Sequence, residues 1–314
     1  MSVPVVSDGD GDVDGGGARE RAGANPGDWV SEARLWVEAD LSRRLRGLET
    51  AGAPSRLVEA MEHALLAGGK RLRPALVRLF AEELGGALET ALPPASAIEL
   101  LHTYSLVHDD LPCMDDDDLR RGRPTVHVAF GEDFGVLVGD ALQTLAFEAC
   151  AETSSAAASV ACLARAAGAA GMVGGQVLDL HPDQREEGLV GLERVHELKT
   201  AALFSAACEL GAIAAGAVDG QRTAAADFGR ALGLCFQAVD DVLDVTGDAS
   251  TLGKTPGKDA ALDRNSSVAW LGLEGARAAA ARLADQAHLA AQGLGFGPEH
   301  RARRLVDRLL GRER

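Results

Sequence analysis

The stretch IELLHTYSLVHDDLPCMDDDDLRRGRPT, residues 98–125, decides how the rest of the chain is read. Its first half, with Ile98, Leu100, Leu101, Leu106 and Val107, has the apolar spacing of a helix. Its second half carries six carboxylates between 109 and 118. A run of acids is ordinarily a solvated face, but these end a hydrophobic helix and lead straight into Arg120 and Arg121. Asp109 and Asp115 are six residues apart, about 240° around an ideal helix, and would face apart. Pro112 lies between them and disrupts helical hydrogen bonding. Residues 111–114 are therefore predicted to bulge, bringing Asp109 and Asp115 to one metal site.

A second acidic group, FQAVDDVLD at 236–244, lies far along the chain. Helical geometry stacks Asp240 and Asp244 on one face with Asp241 beside them. The neighbours Val239, Val242 and Leu243 mark the helix as otherwise buried. Like charges held one turn apart there need cations. The donors are oxygens, without the His and Cys set of a zinc site. Mg²⁺ fits, since it binds through a few carboxylates and completes its shell with substrate phosphates. Four basic groups accompany the acids: GGKRLRP at 68–74, Arg120-Arg121, Lys199-Thr200 and TLGKTPG at 251–257. Adjacent guanidinium groups grip phosphate oxygens bidentately. The GxxxxGK[ST] spacing of a nucleotide-binding loop is absent. Acids and cations together describe a site for two diphosphates among helices whose apolar faces line a cavity.

From Trp29 onward the chain reads as helix. Breaks are expected at Gly52–Pro54, Gly68–Gly69, Gly85–Gly86, Pro93–Pro94, Gly122–Pro124, Gly131, Gly174–Gly175, Gly247 and Gly253–Gly257. The first helix, Ser31–Leu48, is expected to bury Leu35, Ala39, Leu41, Leu45 and Leu48. No run of β-branched residues alternates with period two, and Ala and Leu dominate the apolar residues, so the class is all-α. Residues 28–314 read as one domain. Residues 1–27, rich in Gly and Asp, read as a disordered acidic tail. A calcium loop over Asp10, Asp12, Asp14 and Gly15 fails, because Arg21 stands where the bidentate Glu is required.

With 31 basic and 47 acidic residues among 314, the net charge is −16, which argues against nucleic acid as a partner. Five cysteines without paired spacing point to reduced thiols and a cytoplasmic protein. The first residues lack the basic and apolar regions of a signal peptide. The most apolar stretch, Ala201–Val218, is mostly Ala and carries Glu209, so it is expected as a buried helix and not a membrane span.

In this setting the motifs resemble those of the trans-isoprenyl diphosphate synthases, closest to the bacterial farnesyl diphosphate synthases. The matches are GGKRLRP (68–74), LLHTYSLVHDDLPCMDDDDLRRGRPTVH (100–127), GD (139–140), GGQVLDL (174–180), HELKTAAL (196–203), GLCFQAVDDVLDVTGD (233–248) and TLGKTPGKD (251–259). The resemblance implies a single large helical bundle of the isoprenoid synthase type around a deep central cavity. It implies Mg²⁺, three ions per active site. Asp109 and Asp115 would be ligands with Asp110 in support, and Asp240 would hold the third ion with Asp241 and Asp244 close by or linked through water. It places Arg120, Lys199 and Lys254 on the allylic diphosphate, and Lys70, Arg73, His102 and Arg121 on isopentenyl diphosphate. Thr200, the Lys199 carbonyl and Gln237 would face the developing cation. Gln176 and Asp179 would support these groups from behind, while His108 and His127 are read as structural.

The activity so implied is head-to-tail condensation of isopentenyl diphosphate with dimethylallyl and then geranyl diphosphate, giving farnesyl diphosphate. Tyr104, with Ser105, would limit chain length below the first acids, and the loop Gly247–Asp259 would be a lid. A geranylgeranyl diphosphate synthase is the alternative. A terpene cyclase-like enzyme would not need Lys70, Arg73, His102 and Arg121. A homodimer is implied by the resemblance alone. One departure stands out: where similar proteins carry Lys-[Ser/Thr]-Thr-Tyr-Pro, this chain reads Arg264-Asn-Ser-Ser-Val268. Arg264 keeps the charge of the lysine but not its compact ammonium.

Overall fold

A computed structural model describes residues 28–246 and 266–311. The expected tail, the loop Gly247–Asp259, Lys254 and Arg264 lie outside the described residues. The helices are α1 (Asp28–Thr50), α2 (Ser55–Leu65), α3 (Leu72–Glu83), α4 (Leu88–Asp109), α5 (Val126–Phe130), α6 (Glu132–Ala151), α7 (Ala156–Ala167) and α8 (Met172–Leu180). They continue with α9 (Leu189–Val195), a π-helical turn at His196–Ala201, α10 (Ala202–Ala214), α11 (Asp219–Thr246), α12 (Ser267–Gly293) and α13 (Arg301–Leu310). The architecture is the all-α isoprenoid synthase fold.

α10 is apolar around its circumference, as a helix surrounded by others must be, and it packs on α3, α4, α7 and α11. This bears out the buried reading of the Ala201–Val218 stretch. Phe80, Phe204 and Phe228 are fully buried at its contacts, with the Phe80 and Phe228 rings 5.3 Å apart. Full burial of each such ring contributes roughly 2–3 kcal/mol. α1 differs from expectation: Ala33, Val37, Leu41 and Leu45 are buried, while Leu35 is 65% exposed and Ala39 is exposed too. Polar groups explain the rotation. Asp40 and Arg44 occupy the inner face, where Asp40 accepts from Ser96 Oγ at 2.6 Å and from Arg44 Nε at 2.7 Å.

Two expected breaks are not breaks. α4 runs through Pro93 and Pro94, which lie in its second turn, so only the bonds to the Glu89 and Thr90 carbonyls are lost. α8 runs through Gly174 and Gly175, and the true interruption falls at Gly168–Gly171, between α7 and α8. Two stretches, Glu132–Ala151 and Ala156–Leu180, have the length and apolarity of a membrane span. The interruption at Gly168–Gly171 divides the second, and the first packs along α4.

Strand was not expected, yet Leu119–Arg120 pairs with Arg123–Pro124 in a small antiparallel hairpin, β1 and β2. Arg121 and Gly122 at its tip both have positive φ, 54° and 75°, the backbone of a tight primed turn. The predicted bulge takes a different form. α4 stops at Asp109, and residues 111–115 fold into turns in place of a continuing helix. The Asp115 N–H donates back across six residues to the Asp109 carbonyl at 2.8 Å, and Asp117 N–H to the Asp110 carbonyl at 3.2 Å. Pro112 interrupts the helical pattern, and the loop returns the Asp115 backbone to the end of α4.

Candidate active site

The π-helical turn that carries Lys199 and Thr200 lies between α8 and α11, and two glycines permit the approach. A Cβ on Gly175 would lie 2.3 Å from the Lys199 backbone nitrogen, and one on Gly233 would lie 2.7 Å from Ala201 Cα. Single π turns inside helices reorient side chains, often at functional sites. Here the turn sends Lys199 toward the first acids and Thr200 toward α11. Lys199 Nζ donates to Asp179 Oδ2 at 2.6 Å. Thr200 Oγ1 donates to Gln237 Oε1 at 3.0 Å, one turn before Asp240 and Asp241. The turn therefore joins the two acidic rows.

Burial raises the Asp109 carboxyl to about 6, with Lys199 opposing and Asp115 adding to the shift. Burial likewise raises Asp115, against the pull of Lys199. Burial works against the Lys199 ammonium, but Asp179, Asp109 and Asp115 outweigh it and hold its pKa above the ordinary value. Asp110 is 3% exposed and binds the Arg120 guanidinium through Nε at 2.9 Å and through Nη2. On the second row Asp241 is buried, Asp240 half-buried and Asp244 exposed. Among the described residues no three His, Cys, Asp or Glu side chains form a closed metal cage. Clustered carboxylates without soft donors, with Asp109 half-buried and Asp115 exposed toward the site, nevertheless fit Mg²⁺, which takes few protein ligands and fills its shell from phosphate and water.

Two cavities meet at Arg73 and His102. One, of about 430 Å³, runs from Asp109, Lys199 and Thr200 past Tyr104 and Ser105 to an apolar wall of Leu106, Met172, Val173, Val177, Leu180 and Leu203. Tyr104 is 8% exposed and meets His108 edge to face at 5.1 Å. His108, read from sequence as structural, lines this cavity together with Met114. Gln176 also lines it, and among the described residues neither polar atom of its amide has a hydrogen-bond partner.

The other cavity, about 980 Å³, is lined by Lys70, Arg73, His102, Arg121, Phe204 and Phe236, with Arg34 and Arg308 from α1 and α13. These last two cations carry no motif signal; the packing of α1 and α13 brings them to the cavity. The three cations of GGKRLRP have three fates. Lys70 is exposed at the cavity. Arg71 is a buried structural anchor, bonded to Glu99 at 2.6 Å, Glu38 at 3.2 Å and the Leu65 carbonyl at 2.5 Å. Arg73 lies 4.5 Å above the Phe204 ring with a buried, unbonded Nε, and burial lowers its pKa to about 10. A half-buried guanidinium with a buried, unused Nε donor suits an oxyanion.

Burial, then Arg73 and Arg121, hold the His102 imidazole well below its ordinary pKa, so it is neutral beside these cations. The hairpin tip divides its two arginines: Arg120 turns to Asp110, while Arg121 donates to the Gly68 carbonyl.

The comparisons agree with this geometry. Residues 54–292 match the polyprenyl synthetase family. The chain is 47% identical over 255 residues to the farnesyl diphosphate synthase of Escherichia coli (strain K12), spanning 79% of this chain and 85% of that protein. It is also 47% identical over 254 residues to the large subunit 1 of a heterodimeric geranylgeranyl pyrophosphate synthase of Arabidopsis thaliana, a chloroplastic protein, spanning 77% of this chain and 68% of that one. An FPP/GFPP synthase structure from Zymomonas mobilis superposes with a TM-score of 0.78 at 37% identity, covering 90% of this chain and 98% of that one. A geranyltransferase from Helicobacter pylori, complexed with magnesium and isoprenyl diphosphate, gives 0.76 at 32% identity, covering 93% and 99%. The chain belongs to the polyprenyl synthetase family and is a prenyltransferase.

Proposed function

We propose that the protein is a Mg²⁺-dependent farnesyl diphosphate synthase, condensing isopentenyl diphosphate with dimethylallyl and then geranyl diphosphate. The observation that carries this reading is the pair of cavities meeting at Arg73 and His102, one headed by acids and Lys199, the other lined by cations. An enzyme that ionises a single diphosphate has no use for the second. In this reading Asp109, Asp115 and Asp240 hold up to three Mg²⁺ ions with the allylic diphosphate, and Asp110 positions Arg120. Mg²⁺, when bound, supplies Lewis-acid stabilisation of the charge on the departing diphosphate. Lys199 and Arg120 add hydrogen bonds to that charge as the allylic C–O bond breaks and its electron pair leaves with the diphosphate. Lys70, Arg73 and Arg121 hold the second diphosphate so that its double bond meets the allylic carbon, a proximity effect. The new C–C bond forms, and the proton lost from the adjacent carbon passes to the released diphosphate. Thr200 and the Lys199 carbonyl face the cation, and the apolar wall excludes water that would capture it.

Tyr104 supports a fifteen-carbon product, because it lies in the tail cavity five residues before Asp109, about 7.5 Å along the helix. The geranylgeranyl reading is favoured by the Arabidopsis relative. Incubating purified protein with isopentenyl and dimethylallyl diphosphates and Mg²⁺ tests both: C15 supports the proposal, C20 the second reading, and no condensation contradicts both. Tyr104→Ala is expected to shift the main product from C15 to C20 or longer, and an unchanged C15 product would place the chain-length floor elsewhere. A homodimer completes the reading, supported by Val128, Val136 and Leu137, 49%, 45% and 52% exposed on α5 and α6. Light scattering on the purified protein should give twice the chain mass; the mass of one chain would remove this part.

A further inference from the structure

Asp241 is the most deeply buried acid of its row, at 5% exposure, and both of its oxygens are engaged. Gln237 Nε2 donates to Oδ1 at 3.0 Å. Oδ2 accepts two bonds, from the Ser267 backbone N–H and from Ser267 Oγ, each 2.7 Å. His196 Nε2 lies 3.9 Å from the same oxygen. Ser267 opens α12 and is 6% exposed.

We propose that Asp241 is a positioning residue for Thr200, acting through Gln237 and anchored by Ser267, and is not a ligand of the metal ions that bind the diphosphate. The proposal rests on the condensation chemistry above for the role of Thr200. An ionised carboxylate only accepts hydrogen bonds, so Asp241 fixes the Gln237 amide with its NH₂ toward Oδ1 and its carbonyl toward Thr200. That carbonyl also only accepts, so it draws the single hydroxyl proton of Thr200. What remains of the Thr200 hydroxyl for the tail cavity is its lone pairs, which stabilise a developing cation where a proton would oppose it. Without the carboxylate the amide is free to reverse and the hydroxyl free to turn its proton inward. Three of the four acceptor sites of the Asp241 carboxylate are taken, so a metal ion there would compete with the Gln237 and Ser267 bonds.

The test uses the full chain with Asp241→Asn, Ser267→Ala and Ser267→Thr. Calorimetry of inorganic pyrophosphate binding with Mg²⁺ present should give an affinity for Asp241→Asn within about twofold of wild type. Steady-state condensation should show kcat lowered about ten- to a hundredfold with KM for both diphosphates and the Mg²⁺ requirement little changed. Ser267→Ala should move kcat the same way by a smaller factor, and Ser267→Thr should restore it. Tenfold weaker pyrophosphate binding or a raised Mg²⁺ requirement in Asp241→Asn would make the residue a ligand and overturn the proposal. An unchanged kcat in both Asp241→Asn and Ser267→Ala would overturn it too. A wild-type protein that condenses nothing would refute the reading of function instead, and the pyrophosphate titration would still decide whether Asp241 holds metal.

Discussion

The two acidic rows look alike in sequence and are built in opposite ways. The first, Asp109 to Asp115, ends its helix: α4 stops, and a loop closed by the Asp115 N–H and the Asp109 carbonyl brings the second acid back to the helix end. The second, Asp240 to Asp244, rides an unbroken α11. In the first row burial lifts Asp109 to about 6, against the pull of the Lys199 ammonium. In the second row the most buried acid is already satisfied, by Gln237 and Ser267. The same residue type in two backbones therefore meets different partners, a Lys199 ammonium in one and the Gln237 amide with Ser267 in the other.

The largest expected effect separates the rows at once. Asp109→Asn removes a half-buried oxygen donor from the diphosphate-facing end and should lower kcat/KM by about 10²–10³-fold, measured by steady-state condensation. A loss below tenfold would mean that the first row does not hold the leaving group. The spacing between the rows is tested next. Gly175→Ala places a Cβ 2.3 Å from the Lys199 nitrogen, and such overpacking should destabilise the protein by about 1–3 kcal/mol, read by urea denaturation. Unchanged stability would show that α8 can retreat from the π turn without loss.

The neighbourhood of His102 gives a pH signature. Its folded pKa lies well below the ordinary 6.5, so the unfolded chain binds this proton more readily, and stability falls as pH drops below about 6.5. His102→Gln should flatten that part of the stability profile, and an unaltered acid slope would place the titration elsewhere. The smallest effect is expected at exposed Asp244. Asp244→Asn should lower kcat only about two- to fivefold, since a solvated charge contributes little; a loss like that of Asp109→Asn would erase the contrast between the rows.

Much of this was legible in the residues alone. Helical spacing, the lack of period-two runs and the paired acids gave an all-α chain with a diphosphate site. Two expected breaks fail because packing, and not a chain reversal, uses those Gly and Pro residues. Gly175 is small so that α8 can touch the Lys199 backbone, a requirement set by a residue 24 positions away. Pro93 and Pro94 fall early enough in α4 to leave it intact. The π turn at 196–201 leaves no mark in hydrophobic spacing, since one extra residue in a single turn is lost within the period. Leu35 was misassigned because Asp40 and Arg44 turn inward, stabilised by Ser96 and Glu152, partners that only the tertiary fold supplies.

The most direct measurement is a crystal structure of the protein with Mn²⁺ in place of Mg²⁺, a non-ionisable allylic diphosphate analogue and isopentenyl diphosphate, with Mn²⁺ located by anomalous scattering. The account expects Mn²⁺ peaks at Asp109 and Asp115 and at Asp240. It expects one diphosphate against Lys199, the other against Arg73 and Arg121, and Asp241 still bonded to Ser267. A peak on Asp241 with the Ser267 bonds broken, or both diphosphates on the same side of Arg73 and His102, would contradict it.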